Sequence, residues 1–279
     1  MRYCENLILQ GGGIRCLWQA GFLSVILPCW PRPPSRVLCV SASAAIGTTY
    51  AAGRLPDALR AFKAAVAGNP KNIYPMNIFK RTPVFPHAAI FSTTLRDLFD
   101  TQALKVLASG PRVEVLVSRP ARHLSAARLI ALMLGVGFAM RMSAGGIASR
   151  IRRVGGMVAE YIDAASCVDG NELAELVLAS SCTPPFTPLS RFRGQWALDG
   201  ELVQSPPCAD LGGTSGPTLV LFTRCRPLPT HYPPNFVCAA PTRPIGGSAW
   251  DYTNAPLLDE FYEQGRADAE GFLACPARR

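Results

Sequence analysis

The stretch that decides the fold is residues 6–15, which read NLILQGGGIR. The apolar run from Leu7 to Leu9 predicts a short buried strand, and a helix is predicted from about residue 17 to residue 27. Three consecutive glycines lie between them: Gly11, Gly12 and Gly13. Glycines let the backbone approach a ligand closely, and amides at a helix N-terminus can hold an anion. The stretch therefore predicts an anion-binding turn, to which Arg15 adds a positive charge.

A dinucleotide-binding loop is the main rival explanation of this turn. In the G-x-G-x-x-G pattern the third glycine would fall on Cys16, and no acidic residue follows about 20 residues later. Both departures disfavour a dinucleotide site. A turn that only joins a strand to a helix remains the simpler alternative.

A second stretch, residues 37–45, reads VLCVSASAA. Its first four residues predict a buried strand, and its small residues begin a predicted helix that runs to Ala51. A nucleophilic serine on an α/β sheet lies at a sharp strand-to-helix turn, and the residues two positions before and after it are small. We therefore predict Ser43 as the nucleophile. The residues that would form its elbow are Ser41, Ala42, Ala44 and Ala45. The alternative is a small-residue turn that only packs the helix on the sheet.

A third candidate is the dipeptide Asp199-Gly200, which follows the short apolar segment 196–198. In isolation it is typical of a turn. The three histidines lie in segments without an obvious catalytic setting; they are His87, His123 and His231. A carboxylate held against a serine hydroxyl can act as its base directly. We therefore predict Asp199 as the general base.

Short apolar segments alternate with helical patterns along the chain. The predicted strands are 6–10, 37–40, 113–117, 196–198 and 218–222, and the later predicted helices are 56–67, 88–107 (broken once), 171–181 and 256–273. Residues 226–244 are predicted as a proline-rich loop. This alternation predicts a three-layer α/β/α fold, with a mostly parallel central sheet and helices on both faces. No internal repeat or long linker divides the chain, so we expect a single domain over residues 1–279.

Composition limits the classes of partner. Ten cysteines form no CxxC pair, and they predict reduced, mostly buried thiols of a cytosolic protein, with disulfides or a zinc site as the alternative. We expect no metal or other cofactor. The first residues lack the apolar core of a secretory signal. The net charge is +9, yet no basic stretch is interleaved with aromatic residues. We expect no nucleic acid, and an anionic membrane surface as the partner of a cytoplasmic, peripherally bound protein.

The middle of the chain is basic and apolar. No acidic residue occurs from Val115 to Ala159, and Leu129 to Met140 is an apolar run too short to span a bilayer. The same stretch contains Arg119, Arg122, Arg128, Arg141, Arg150, Arg152 and Arg153. This pattern predicts an insert or lid at about 119–155 that lies in a membrane interface. A pair of ordinary helices with solvated arginines is the alternative.

With these motifs in place, the chain resembles the patatin-like phospholipases. The glycine turn, the serine elbow and the Asp-Gly dipeptide match that family's motifs, and residues 179–188, 199–206 and the closing helix also look similar. Position by position, the resemblance implies that Ser43 is the nucleophile and Asp199 the base. Gly11, Gly12 and Gly13, together with Arg15, would form the oxyanion loop. The departures from the family pattern are Cys16, Ser41, Ala45 and Glu201.

The resemblance also implies an activity. It indicates a lipid acyl hydrolase, of the phospholipase A or lysophospholipase type, that cleaves fatty-acyl esters through an acyl-enzyme and needs no metal. Its substrate would be a phospholipid or another acyl ester. Transfer to an alcohol or lysolipid would make it an acyltransferase. A catalytically weak or inactive lipid-binding or scaffolding protein on the same fold is the other alternative.

Overall fold

The computed structural model describes residues 3–120, 124–141, 156–207, 216–225 and 232–274. Within these ranges one mixed sheet is built from β1 (Asn6–Leu9), β2 (Arg36–Val40), β3 (Arg112–Pro120), β4 (Met157–Asp163), β5 (Ser190–Phe192), β6 (Gln195–Asp199), β7 (Thr218–Leu221) and β8 (Phe236–Ala239). The helices are α1 (Cys16–Ile26), α2 (Ser43–Ala51), α3 (Leu55–Ala67), α4 (His87–Arg96), α5 (Thr101–Ser109), α6 (Ala126–Arg141), α7 (Gly170–Ser180) and α8 (Ala255–Ala274). None of the helices in the described ranges is long and apolar enough to cross a bilayer.

The sheet has the strand order β5-β6-β3-β2-β1-β7-β8, and β4 pairs with β3 outside this path. Five neighbouring strands run parallel to one another: β3, β2, β1, β7 and β8. The strands β4 and β6 each pair antiparallel with β3, and β5 pairs antiparallel with β6. Alternate residues of the parallel strands enter different hydrophobic clusters, as Leu7 and Ile8 of β1 do. The predicted α/β fold with a mostly parallel sheet is confirmed.

Three strands of the sheet were not predicted, namely β4, β5 and β8. The segment 226–244, predicted as loop, contains the strand β8, which pairs with β7 at the edge of the sheet. β4 was not predicted because six of its seven residues are fully or partly exposed, and β5 was not predicted because it has only three residues. The predicted break in 88–107 is confirmed. It lies before α5, where the Asp100 carboxylate accepts a hydrogen bond from the Ala103 amide at 2.7 Å.

The long central strand β3 holds two other strands end to end. Its first half pairs with β2 as far as the partners Leu116 and Val40. The next residue, Val117, pairs with Asp199, the last residue of β6. Because β2 runs parallel to β3 and β6 runs antiparallel, their carboxyl ends meet at adjacent positions of one strand. This meeting point positions the candidate site.

Helices α1 and α8 pack with their backbones in contact. A Cβ atom on Gly265 of α8 would overlap the carbonyl oxygen of Trp18 in α1. The Trp18 indole Nε1 also donates a hydrogen bond to Asp268 Oδ2 at 2.7 Å. Since α1 directly follows the glycine turn, this contact fixes the direction in which the chain leaves that turn.

We expect Gly265→Ala to lower the free energy of unfolding by about 1–3 kcal/mol, because the added methyl group forces the two helices apart. Gly271→Ala is the matched control on the same helix, since a Cβ there meets no atom within 4 Å. It should be neutral or stabilise by up to about 1 kcal/mol. Urea unfolding measures both, and equal stability of the two variants would contradict the close packing.

Candidate active site

Ser41 lies on a strained turn between β2 and α2. It directly follows Val40, and its φ of 58° falls in the left-handed region that non-glycine residues rarely adopt. The Ser41 amide donates to Ser180 Oγ at 2.8 Å, and the Ser180 hydroxyl donates to the Leu116 carbonyl at 2.7 Å. Ser180, the last residue of α7, thus ties the strained turn to β3. Strain of this kind is concentrated at functional sites.

The side chain of Ser41 contacts a buried carboxylate. Its Oγ donates a hydrogen bond to Asp199 Oδ2 at 2.6 Å. The same carboxylate oxygen accepts from Thr183 Oγ1 at 3.1 Å, and Oδ1 accepts from the Glu201 amide at 2.9 Å. Asp199 is therefore fixed in orientation by neighbours on both of its oxygens. The arrangement brings a hydroxyl and a possible base into direct contact.

Ser43, predicted to face Asp199, lies elsewhere. It is completely buried, its Oγ accepts from the Val40 amide at 2.9 Å, and the carbonyl oxygens of Leu9 and Val40 lie at 2.8 and 2.7 Å. The prediction that Ser43 contacts Asp199 is wrong, and Ser41 occupies that place. The reason is local: α2 begins at Ser43, and helical side chains point back towards the helix N-terminus, here to the strand ends. The sequence did contain a signal for Ser41, because a nucleophile elbow lies at the turn that directly follows a strand, and Ser41 directly follows Val40.

The predicted glycine turn runs past Ser41. A Cβ on Gly11 would come within 2.7 Å of Ser41 Cβ and 3.0 Å of Glu201 Cδ. Gly13 has a φ of +61°, and a Cβ there would overlap the Ala249 carbonyl. The glycines are therefore required both for the turn and for its close approach to the serine. The Gly11 amide donates to the Glu201 carboxylate, and the Ile14 amide donates to the Ala249 carbonyl at 3.1 Å.

Arg15, predicted to support the anion site, contacts a different segment of the chain. Its Nη2 donates to the Gly247 carbonyl at 3.0 Å, and its buried Nε has no hydrogen-bond partner in the described part of the chain. Burial lowers the pKa of Arg15, and the nearby charge of Arg224 lowers it further. Among the described contacts, none joins Arg15 to Ser41 or Asp199.

The small residues of the elbow have separate places. The Ala44 amide donates to the Ser41 carbonyl at 2.9 Å, which closes the first turn of α2. Gly200 packs so closely on Val40 and Leu116 that a Cβ would lie 2.6 Å from Val40 Cγ2. Ala42 and Ala45 instead line a cavity. The sequence predicted an elbow of small residues, but it did not predict the cavity that Ala42 and Ala45 line.

This cavity lies beside the elbow, and Gly13 and Ala42 form part of its lining. Its deeper walls come from α2, α3 and α4. Apolar side chains dominate there, including Ile46, Leu55, Leu59, Phe62, Phe91 and Leu95. Such a surface binds hydrocarbon rather than charged or polar groups.

A second carboxyl group, Glu201, lies against the site. Its Oε1 accepts from Ser205 Oγ at 2.6 Å. Burial raises the pKa of Glu201, while Ser205 and the charge of Arg224 oppose that change. Burial, and then the charge of Glu201, raise the pKa of Asp199 to about 7, which its hydrogen bonds from Ser41 and the Glu201 amide only partly oppose. A base with a pKa near neutral suits proton transfer at neutral pH.

Neither histidine nor cysteine offers a better base or nucleophile in the described part of the chain. His87 Nε2 is bonded to the Trp250 carbonyl at 2.8 Å, and burial lowers its pKa. His123 and His231 lie outside the described residues. Cys16, at one of the departures from the family pattern, is buried, and burial raises the pKa of its thiol. The described residues contain no group of three or more His, Cys, Asp or Glu side chains placed to hold a metal ion.

The fold and the site together define a class of protein: an α/β protein with a serine–aspartate pair at the carboxyl ends of its strands. The family model for patatin-like phospholipase matches residues 7–211, which include the glycine turn, Ser41 and Asp199. The chain therefore belongs to the patatin-like phospholipase family, as its resemblance predicted. No individual curated protein is similar enough to this chain to be matched to it.

We expect Glu201→Gln to lower the pKa of Asp199, because the substitution removes a neighbouring negative charge. The pKa is measured as the midpoint of the pH dependence of Ser41 labelling by a fluorophosphonate, which rises as Asp199 ionises. That midpoint should move to lower pH in Glu201→Gln. Glu175→Gln, an exposed position on α7, is the control and should leave it unchanged. An equal midpoint in all three proteins would contradict the coupling of the two carboxyl groups.

Proposed function

We propose that this protein is a serine hydrolase of lipid acyl esters, with Ser41 as nucleophile and Asp199 as general base. The observation that carries the proposal is the 2.6 Å hydrogen bond from Ser41 Oγ to Asp199 Oδ2 at a strained strand-to-helix elbow. Membership of the patatin-like phospholipase family supports the lipid class of substrate. A phospholipase A or lysophospholipase activity fits both.

In the first half of the reaction, Asp199 accepts the proton of Ser41 as Oγ attacks the ester carbonyl carbon. The carbonyl oxygen becomes a negatively charged oxyanion in a tetrahedral intermediate. Collapse of this intermediate breaks the ester C–O bond, and Asp199 returns the proton to the departing alcohol. The product that leaves is a lysolipid or another alcohol, and the acyl group stays bonded to Ser41 Oγ.

In the second half, Asp199 accepts a proton from a water molecule, whose oxygen attacks the acyl carbon. The bond from that carbon to Ser41 Oγ then breaks, and Ser41 regains its proton from Asp199. A fatty acid leaves, and the site returns to its starting state. An alcohol in place of water would give acyl transfer by the same steps.

We assign the oxyanion to the amides of Gly12 and Gly13. The loop passes close to Ser41 at Gly11, whose own amide is bonded to Glu201. The amide that follows the three glycines, that of Ile14, is bonded to the Ala249 carbonyl. Gly12 and Gly13 are the glycine amides of the loop that remain for the substrate. Donors fixed in advance around an oxyanion lower the barrier by several kcal/mol.

The cavity beside Ala42 is the proposed site for the acyl chain. Its lining includes Ala42, the residue after Ser41, and its walls are apolar. Helix α6 packs on the other side of the site, where Leu129 and Met133 share a hydrophobic cluster with Leu198, the residue before Asp199, and with Leu202. This position supports a lid role for α6, within a single domain.

Outside α6, the predicted insert at about 119–155 includes Arg119 and the segment 142–155. Arg119 does not belong to a membrane surface. It is buried, forms an ion pair with Glu160, and donates to the carbonyls of Phe192, Gln195 and Trp196. Residues 142–155, with Arg150, Arg152 and Arg153, lie outside the described residues.

The proposal is tested by the pair Ser41→Ala and Ser43→Ala. Ser41→Ala and Asp199→Asn should each reduce hydrolysis of a soluble short-chain ester by about a thousandfold or more, and the double variant should lose little further activity. Ser41→Ala should also abolish labelling by a fluorophosphonate. Ser43→Ala should keep labelling, but its unpaired backbone partners should lower the free energy of unfolding by about 1–3 kcal/mol.

The reverse result for the two serines would move the nucleophile to Ser43. High activity in Asp199→Asn would exclude Asp199 as the base. A folded wild-type protein that is neither labelled nor active would instead support a lipid-binding protein without turnover.

The acyl-chain site is tested by Ala58→Phe, which places a ring in the cavity. We expect hydrolysis of long-chain esters to fall by roughly tenfold or more, while hydrolysis of butyrate esters is retained. Ala64→Phe on the exposed side of the same helix is the matched control. A uniform loss for all chain lengths would show that this cavity does not hold the acyl chain.

A further inference from the structure

A short surface loop, residues 71–82, exposes four large hydrophobic side chains within seven positions. We call it the apolar loop. Its exposed fractions are 50% for Ile73, 68% for Met76, 65% for Ile78 and 81% for Phe79. Single exposed apolar residues are common on protein surfaces, but a contiguous group of them marks an interaction site.

The apolar loop is built to hold these side chains outward. The Tyr74 amide donates to the Val84 carbonyl at 2.8 Å, and Asn77 Nδ2 donates to the Pro83 carbonyl at 2.8 Å. The Thr82 amide donates to the Asn77 carbonyl at 3.0 Å. A turn of 3₁₀ helix over Pro75–Ile78 forms the tip. The exposure therefore results from a hydrogen-bonded loop and not from an unpaired chain end.

The charge of the loop is entirely positive. Lys71, Lys80 and Arg81 lie within it, and no acidic residue occurs in the sequence between Asp57 and Asp97. Within the described ranges, these three side chains take part in no ion pair. Apolar side chains surrounded by unpaired cations complement an anionic lipid surface, with hydrocarbon below and charged head groups above.

The base of the loop is bonded to the segment that borders the acyl-chain cavity. Asn69 Nδ2 donates to the Tyr252 carbonyl at 2.7 Å, and Asn72 Oδ1 accepts from the Tyr252 amide at 2.8 Å. Tyr252 lines the cavity. Ala249 of the same segment accepts the Ile14 amide of the glycine turn. The apolar loop is thus bonded to a segment that both lines the cavity and holds the glycine turn.

We propose that the apolar loop is the membrane-docking surface of this protein, and that its occupant is an anionic lipid surface. Its apolar tip enters the boundary between head groups and acyl chains, while Lys71, Lys80 and Arg81 contact anionic head groups. Docking there brings the rim of the cavity to the lipid. The inference deepens the proposed function, on which it rests for the nature of the substrate. Docking itself requires no turnover.

The test uses the Ser41→Ala protein, so that binding is measured without turnover, and vesicles of phosphatidylcholine with or without about a third of phosphatidylserine. Ile78→Ser with Phe79→Ser should weaken vesicle binding by tenfold or more, on the order of the transfer free energy of one phenylalanine side chain. Lys71→Gln with Lys80→Gln should weaken binding to the anionic vesicles alone, by about fivefold for each lysine. Val168→Ser is the matched control, since Val168 is 84% exposed outside the loop, and it should bind as the parent does.

Unchanged vesicle binding in the Ile78→Ser, Phe79→Ser variant would overturn the proposal, as would an equal loss in Val168→Ser. A wild-type dimer that the loop substitutions dissociate, without any vesicle binding, would assign the loop to a second copy of the chain instead. With Ser41 restored, the loop variant should hydrolyse a soluble short-chain ester at the wild-type rate, and loss of that activity would also overturn a docking role. If wild type binds vesicles through the loop but hydrolyses no ester, the proposed function fails and the docking surface stands.

Discussion

The candidate site depends on one constraint of the sheet, which is that β2 and β6 end at adjacent positions of β3. Val40 pairs with Leu116 and Asp199 with Val117, so the residue after β2 meets the last residue of β6. This backbone register, rather than flexible side chains, sets the distance between Ser41 and Asp199. The rest of the site is arranged around that junction, since α7 supplies Ser180 and the glycine turn passes against Ser41.

Several features at this junction oppose folding, and neighbouring contacts offset them. Ser41 holds a left-handed backbone conformation, and two carboxyl groups lie buried beside each other. Hydrogen bonds from Thr183 and the Glu201 amide orient one carboxylate, and Ser205 supports the other. Local strain and local compensation together are typical of a site selected for chemistry rather than for stability.

The sequence was sufficient for the fold and for the three motifs, because strand and helix patterns and the glycine turn depend on local chemistry. The choice of Ser43 over Ser41 was wrong because the small-residue elbow was centred on Ser43, although the predicted strand already ended at Val40, directly before Ser41. Three strands were missed, β4, β5 and β8, because short strands and edge strands show weak apolar patterns. The placement of Glu201 and the exposure of Phe79 arise from tertiary structure, which no local pattern encodes.

The raised pKa of Asp199 has a consequence for where in a cell the protein could operate. Because burial and the charge of Glu201 raise the pKa of Asp199, its carboxyl group gains a proton at a higher pH than an ordinary aspartate does. For the proposed base, acidification of the surroundings would therefore lower the ionised fraction of Asp199 without an inhibitor or a conformational change. The proton concentration would thus determine the fraction of molecules with an ionised Asp199, because this carboxyl group is buried beside that of Glu201.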